Sequence, residues 1–170
     1  MGHHRGRERK DLVGEHPFGD TGQLILLLVF LIVWIGDSFI LKLSTMATQY
    51  VPVSVRVVLF LVGITLAGIL AQRGLSIVFG EERERPCVIK KGVFNLVRHP
   101  IYLGSLLLYL SCLLLTLSLL SVLVWLIIIA FYVYISRHEE KLLLARFGSE
   151  YEDYMGEVPM LIPWTKRRKT

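Results

Sequence analysis

Residues 101–135 read "IYLGSLLLYLSCLLLTLSLLSVLVWLIIIAFYVYI", 35 positions without one charged side chain. A membrane-spanning helix needs about 20 mostly apolar residues, so this stretch is too long for one span and barely long enough for two. The less apolar sequence "TLSLLS" at 116–121 is the place where the chain can turn. We therefore predict a tight helical hairpin with its turn there.

Two further apolar segments precede the hairpin, at about 23–43 and 52–72. The whole chain is 54% hydrophobic, above the roughly 45–50% of ordinary soluble domains. The sequence therefore predicts an all-α integral membrane protein with four transmembrane helices. Cys87 and Cys112 indicate neither a disulfide framework nor a metal site, and no cluster of residues has the spacing of metal ligands.

Basic residues are distributed so as to place both termini in the cytoplasm. The segments 1–22, 73–100 and 136–170 hold 17 of the 19 Lys and Arg residues, which is the asymmetry typical of cytoplasmic loops. The membrane is then a prokaryotic cell membrane or the endoplasmic reticulum. Because the cations lie beside spans, they indicate contact with membrane lipids and not with nucleic acid.

The polar segment after the hairpin predicts amphipathic cytoplasmic helices at the C-terminal end. Gly148 is a plausible stop for the fourth helix, and Ser149 with Glu152 has the spacing of a capping box for another. An apolar stripe at helical spacing predicts a buried face; it consists of Leu143, Phe147, Tyr151 and Tyr154.

Ionisable residues stand at the edges of the predicted spans. Arg98 and His99 directly precede Pro100 and the long apolar stretch, and Glu139 and Glu140 follow that stretch within a few residues. Taken alone, Arg98 and His99 suit a membrane-interface anchor before a helix that starts at proline. Asp37 is the one acidic residue inside a predicted span, and its place near the outer end favours an interfacial or helix-pairing role over a functional one.

The order of motifs resembles the isoprenylcysteine carboxyl methyltransferase and phospholipid methyltransferase superfamily. "RHPIYLG" at 98–104 is followed by the hairpin, by "EEKLLLARFGSEYEDY" at 139–154 and by a closing Val-Pro. The resemblance covers 86–164, while the first two spans match only in hydropathy. It implies an integral membrane enzyme that moves a methyl group from S-adenosylmethionine to a lipophilic substrate from the bilayer.

The resemblance also implies the site. Its cofactor contacts would be Val88, Ile89, Lys90, Phe94, Arg98, His99, Pro100, Tyr102, Glu139 and Glu140, with Arg137 and Glu140 as catalytic residues. The chain then divides into a cytoplasmic tail (1–22), two transmembrane helices (23–72), a catalytic core (73–164) and a basic tail (165–170). Carboxylates, a cation and aromatic rings are the groups that this zwitterionic cofactor with its flat adenine requires.

The sequence does not identify the methyl acceptor, because it departs from the pattern of the prenylcysteine enzymes. The arginine that contacts the substrate carboxylate in those enzymes falls at Ile135 here, and Arg137 is the nearest arginine. A prenylcysteine-like carboxylate, a lipid amine and a thiol all remain. Two other functions compete: an NADPH-dependent sterol-type reductase, and a membrane protein without catalysis. The sequence does not indicate an oligomeric state.

Overall fold

The structure is a computed structural model that describes residues 19–80 and 86–163. All regular elements in these ranges are helical: α1 (Gly19–Ile35), a π-helical turn (Gly36–Leu41), a 3-10 turn (Met46–Gln49), α2 (Val53–Phe79), a second 3-10 turn (Gly92–Asn95), α3 (Pro100–Thr116), α4 (Leu119–Phe147) and α5 (Ser149–Glu157). The predictions for the N-terminal tail, for the basic tail and for 81–85 lie outside the described residues.

The predicted hairpin is confirmed, and its turn consists of two residues. Pro100 stands at the first turn of α3, where its fixed φ suits a helix and its missing N–H costs nothing. Leu117 ends α3 with a φ of 49°. The Ser118 side chain then accepts a hydrogen bond from the backbone N–H of Ser121 and caps α4.

Three helices are long and apolar enough to cross a membrane among the described residues: Thr21–Leu41, Val53–Phe79 and Leu119–Phe147. The remaining apolar helix, α3, has 17 residues and a length of about 25 Å at 1.5 Å per residue. That is shorter than the roughly 30 Å of a hydrocarbon core. Three of the four predicted spans are thus supported, and a crossing by α3 stays a prediction.

Helix α2 runs further than the sequence predicted, whereas α4 ends where Gly148 predicted its stop. The second helix was expected to end near Gln72, but α2 continues to Phe79. The 29 residues of α4 measure about 43 Å, so its last turns extend beyond the hydrocarbon and carry the polar residues from Arg137 onward. The structured part of the loop after α2 is correspondingly shorter than the expected segment 73–100.

Helices α2 and α3 pack closely because small residues face one another. A Cβ atom on Gly104 would lie 3.0 Å from the backbone oxygen of Ala67 and 3.3 Å from the nitrogen of Ala71. On the same interface, a Cβ atom on Gly63 would meet the hydroxyl of Ser111. Small residues at such crossings let helix backbones approach in membranes. The start of α3, which leads into the candidate site, is thereby held against α2.

The main apolar core lies between α1, α3 and α4. Its buried members are Phe30, Leu106, Tyr109, Leu113, Ile128, Tyr132, Ile135 and Leu161. Leu161 comes from the segment after α5, so the C-terminal part of the described chain reaches the transmembrane core. A second, smaller cluster forms around α5 from Tyr151, Tyr154 and Val158 with Val88, Leu143, Phe147 and Met155. It confirms the apolar stripe that the spacing predicted.

The capping box predicted at Ser149 is wrong. Gly148 occupies the N-cap position of α5 and no side chain caps that end. Gly148 has a φ of 55° and a ψ of −131°, a conformation that glycine adopts readily because it has no Cβ atom. One glycine therefore ends α4 and begins α5, and Ser149 becomes the first residue of the new helix.

Asp37 connects two parts of the chain at the end of the bundle opposite the start of α3. Its buried carboxylate accepts hydrogen bonds from the Ser44 backbone N–H at 3.0 Å, from the Ser44 hydroxyl and from the Ser118 hydroxyl at 2.5 Å. The Ser44 carbonyl in turn accepts a hydrogen bond from the Leu119 N–H at 3.2 Å. The carboxylate thus connects the end of α1 with the turn between α3 and α4, which supports the helix-pairing role.

Replacing Asp37 by alanine is expected to lower the free energy of unfolding by about 1–3 kcal/mol, because buried donors lose their acceptor. Thermal unfolding of the detergent-solubilised protein measures the change. Ser38→Ala is the matched control, since Ser38 is buried too and its hydroxyl has no hydrogen-bond partner among the described residues. Equal effects of the two variants would contradict the structural role of Asp37.

Candidate active site

The site forms where the chain enters α3. The N–H of Arg98 donates to the carbonyl of Pro159 at 2.9 Å, and the N–H of His99 donates to the carbonyl of Met160 at 3.1 Å. These bonds fix residues 158–161, here called the C-terminal strap, across the start of α3. Val158, Pro159 and Leu161 of the strap are buried. Two segments some 60 residues apart are thereby held side by side.

Arg98 cross-links three parts of the molecule. Its Nε donates to Oε1 of Glu140 at 2.7 Å, and both side chains are more than nine-tenths buried. Its Nη1 donates to the carbonyls of Met155, at 3.1 Å, and of Val158. Those carbonyls belong to the last turn of α5 and to the strap. A guanidinium suits this position because its donors diverge in one plane and its charge is permanent.

The imidazole of His99 lies between two carboxylates. Its Nε2 lies 3.2 Å from Oε1 of Glu140, and its Nδ1 lies 3.5 Å from Oε2 of Glu139. Glu139 and Glu140 are consecutive on α4, so their side chains leave the helix about 100° apart. The imidazole fills the space between them, and both carboxylates face the start of α3.

Tyr102 completes the arrangement on the membrane side. Its hydroxyl donates to Oε1 of Glu139 at 2.5 Å. Its ring stacks on His99 with the centroids 5.5 Å apart and a 3° angle between the planes. The ring also contacts Tyr132 at a centroid distance of 5.1 Å. These contacts fix the orientation of the Glu139 carboxylate from the side of the transmembrane core.

A second group of predicted residues surrounds α5. The hydroxyl of Tyr154 donates to the carbonyl of Phe94 at 2.6 Å. The ammonium of Lys90 donates to the carbonyl of Glu150 at 3.1 Å and lies 5.9 Å from the centre of the Tyr154 ring. Burial raises the pKa of the Tyr154 phenol, so the group stays protonated and can donate. Helix α5 thus holds the 86–95 segment at two positions, Lys90 and Phe94.

The predicted site residues divide by location. Arg98, His99, Tyr102, Glu139 and Glu140 form one connected cluster, here called the polar cluster, with Pro100 buried beside it. Lys90 and Phe94 contact α5, Val88 packs against the apolar cluster around α5, and Ile89 is half-buried. Arg137 is exposed on α4, so its catalytic role stays a prediction that these contacts do not support.

The sequence reasoning missed the structural role of several groups. Tyr154 was assigned only to an apolar stripe, although its hydroxyl holds Phe94. The carbonyls of Met155 and Val158 could not be found, since a backbone acceptor leaves no mark in a sequence pattern. A groove of about 460 Å³ also lies between α2 and the second 3-10 turn, lined by Arg73, Ser76, Ile77, Gly92, Val93 and Leu96. No residue of the polar cluster lines it.

The donor set of the polar cluster suits S-adenosylmethionine. Both contacts of Glu140 use Oε1, so Oε2 is the oxygen that can accept from the cofactor ammonium. Lys90 is an exposed cation on the 86–95 segment, held against α5, and its ammonium can bind the cofactor carboxylate. Phe94 and Tyr102 supply aromatic rings. Three of the five N–H donors of Arg98 bind Glu140 and two carbonyls, so a cofactor contact of Arg98 stays a prediction and would have to use Nη2.

Comparison with known proteins identifies the family. The model of the family described as phospholipid methyltransferase matches residues 54–150. That match contains all five residues of the polar cluster. It also begins inside α2, so the family likeness extends beyond the 86–164 segment on which the motifs alone had placed it.

Curated relatives are methanethiol S-methyltransferases from bacteria. The chain is 32% identical over 98 residues to one from Crocosphaera subtropica, covering 56% of this chain and 37% of the relative. It is 35% identical over 88 residues to one from a Pseudomonas strain, covering 51% and 32%. A third, methanethiol S-methyltransferase 2 from Bradyrhizobium diazoefficiens, is 38% identical over 71 residues, covering 42% and 27%.

The matched region spans about a third of the length of these relatives. The family model, in contrast, covers more than half of this chain, and it includes the helices that carry the polar cluster. Three apolar helices of spanning length accompany that match. The chain is therefore a membrane protein, and it belongs to the phospholipid methyltransferase family.

Proposed function

We propose that this protein transfers a methyl group from S-adenosylmethionine to a lipophilic acceptor that enters from the bilayer at the cytoplasmic face. The observation that carries the proposal is the convergence of Arg98, His99, Tyr102, Glu139 and Glu140 at one end of the helix bundle. The ionisable side chains among them are largely buried, and burying charged groups is costly, so a cluster of them at one end of the bundle marks a candidate functional site.

Among acceptors, a small apolar thiol is the first choice, because the curated relatives carry the name of a thiol methyltransferase. An amine on a lipid headgroup is the second, supported by the description of the family. A prenylcysteine-like carboxylate is less well supported. Such a carboxylate needs a cation beside the site, and Ile135 is buried in the apolar core at the position where the resemblance expects an arginine.

Each residue then has a role that its contacts allow. Oε2 of Glu140 and the ammonium of Lys90 hold the two charged ends of the amino-acid part of the cofactor. Phe94 and Tyr102 bound the adenine and the reacting sulfonium. When bound, the cofactor supplies an activated methyl group, and the protein contributes by holding the acceptor in line with it. The strap excludes water from one side, which strengthens these polar contacts.

Isothermal calorimetry with S-adenosylhomocysteine on the detergent-solubilised protein tests the proposal. We expect saturable binding that weakens about tenfold or more in Glu140→Gln, since a hydrogen bond to a charged group is lost. Glu152→Gln, on the exposed face of α5, serves as the control and should bind like the wild type. Thermal unfolding confirms that both variants are folded.

Transfer of a labelled methyl group then identifies the acceptor. The protein in bilayer vesicles is given labelled S-adenosylmethionine with an alkanethiol, and separately with a lipid extract alone. Label in a volatile thioether supports the thiol, and label in the lipid fraction supports the amine. Saturable binding of NADPH without binding of S-adenosylhomocysteine would replace the proposal by the sterol-type reductase. Binding of neither would leave a membrane protein without catalysis.

A further inference from the structure

We infer that the hydroxyl of Ser136 binds the sulfur of an alkanethiol acceptor and orients it for methyl transfer. The inference rests on the proposed function, and it adds a residue that the motifs did not identify. Ser136 lies on α4, one turn before Glu140, and its side chain is completely buried. Its Oγ atom has no hydrogen-bond partner among the residues that the structure describes.

This hydroxyl differs from those of other serines and threonines in the described helices. Thr65, Ser76 and Ser111 each donate to the carbonyl four residues earlier, at 2.6–2.7 Å. The equivalent bond from Ser136 to the carbonyl of Tyr132 is not formed. A buried polar group without a partner costs the free energy of its desolvation, and native proteins keep few such groups. A ligand that pairs with the hydroxyl explains why a serine occupies this position.

Ser136 stands in the middle of the face of α4 that carries the polar cluster. Successive residues of a helix point about 100° apart. Tyr132 and Glu140 therefore project about 40° to either side of Ser136, and Glu139 projects about 60° away. Tyr102 contacts Tyr132 through its ring and Glu139 through its hydroxyl, so it spans the level of Ser136 along α4. The hydroxyl thus belongs to the same site as the two glutamates.

The depth of Ser136 favours the acceptor over the cofactor as its partner. At 1.5 Å per residue, Ser136 lies about 6 Å closer than Glu140 to the middle of the apolar part of α4. Its neighbours on that side, Tyr132 and Ile135, are members of the main apolar core. In the proposed function Glu140 holds the cofactor ammonium and Tyr102 bounds the sulfonium. An acceptor from the bilayer approaches these groups from the apolar side, where Ser136 supplies a polar atom.

The chemistry of a hydroxyl suits a thiol in either of its forms. A hydroxyl has one donor and two acceptor sites, so Ser136 can donate to a thiolate or accept from an S–H group. It takes no part in making or breaking bonds; it holds the sulfur in line with the methyl group. Because the hydroxyl is fully covered in this structure, the acceptor reaches it by displacing a neighbouring side chain, a rotamer change that is common on binding. A small apolar thiol needs less room for this than a charged lipid headgroup.

Ser136→Ala tests the inference through two effects of opposite sign. We expect KM for an alkanethiol to rise about five- to tenfold, the loss of one hydrogen bond. Affinity for S-adenosylhomocysteine, measured by calorimetry, should not change. The thermal unfolding midpoint of the unliganded variant in detergent should rise by about 2–4 °C, because a buried group without a partner has been removed. A serine with a purely structural role would not combine weaker acceptor binding with higher stability.

Ser111→Ala is the matched control, since Ser111 is equally buried but its hydroxyl donates to Leu107. We expect its midpoint to fall by about 2–4 °C and its KM for the alkanethiol to equal that of wild type.

An unchanged KM, a parallel loss of affinity for S-adenosylhomocysteine or a lowered midpoint in Ser136→Ala would each overturn the inference. Wild-type methylation of a lipid amine and not of the alkanethiol would overturn the thiol as the occupant. Failure of the wild type to bind S-adenosylhomocysteine would instead overturn the proposed function.

Discussion

Replacing Arg98 by alanine is expected to lower the free energy of unfolding by about 3 kcal/mol, the low end for removing one partner of a buried ion pair. The variant leaves Glu140 without its cation and leaves the carbonyls of Met155 and Val158 without their donor. We also expect binding of S-adenosylhomocysteine to fall below detection, because the strap and α5 lose their attachment to α3. Thermal unfolding and calorimetry in detergent measure the two effects.

Arg98→Lys separates the charge of this residue from its shape. An ammonium can pair with Glu140, but it lacks the planar donors that reach both carbonyls at once. We therefore expect partial recovery of stability and of binding. The control is Arg146→Ala, since Arg146 is exposed near the end of α4. Loss of binding in Arg98→Ala at unchanged stability would contradict the cross-link and would make Arg98 a direct ligand contact.

Gly104→Val is expected to lower the free energy of unfolding by about 1–3 kcal/mol, the usual cost of overpacking. A Cβ atom at this position already lies 3.0 Å from the Ala67 oxygen and 3.3 Å from the Ala71 nitrogen. Both are backbone atoms of α2, so no side chain can rotate away and the helices have to separate. Gly104 is one helical turn and a half from His99, and we expect ligand binding to weaken as well.

Gly68→Val is the matched control for that prediction. It introduces the same side chain into α2, at a position where a Cβ atom meets nothing within 4 Å. Denaturation in detergent should leave its stability close to that of wild type. If both variants were equally destabilised, the loss would come from valine in a helix and not from the contact between α2 and α3.

The sequence predicted those parts of the fold that depend on hydropathy. A 35-residue apolar stretch has to turn somewhere, and the turn lies at Leu117 and Ser118, inside the predicted 116–121. Hydropathy, however, predicts which residues lie in the hydrocarbon of the membrane, and it does not predict where a helix ends. No proline lies between Gln72 and Gly80, and the one glycine, Gly74, is buried within the helix, so α2 continues past the apolar boundary to Phe79. A helix can therefore end several residues after the membrane-spanning segment that it contains.

The members of the polar cluster were predictable from the sequence, and the contacts that connect them were not. Motif order identified Arg98, His99, Tyr102, Glu139 and Glu140, and these are in contact. The use of Arg98 as a cross-link depends on backbone carbonyls, which no side-chain pattern reveals. The pairing of Asp37 with Ser118 joins positions 81 residues apart, and three-dimensional packing alone brings them together.

The strap has a consequence for the order in which the protein is made. Residues 158–161 supply the carbonyls that bind Arg98 and His99, and Leu161 fills a place in the core between α1, α3 and α4. During synthesis the apolar helices enter the membrane before this segment has left the ribosome. The two glutamates and the histidine therefore stay uncovered at the end of the helix bundle until residues 158–161 have been synthesised and can pack across the start of α3.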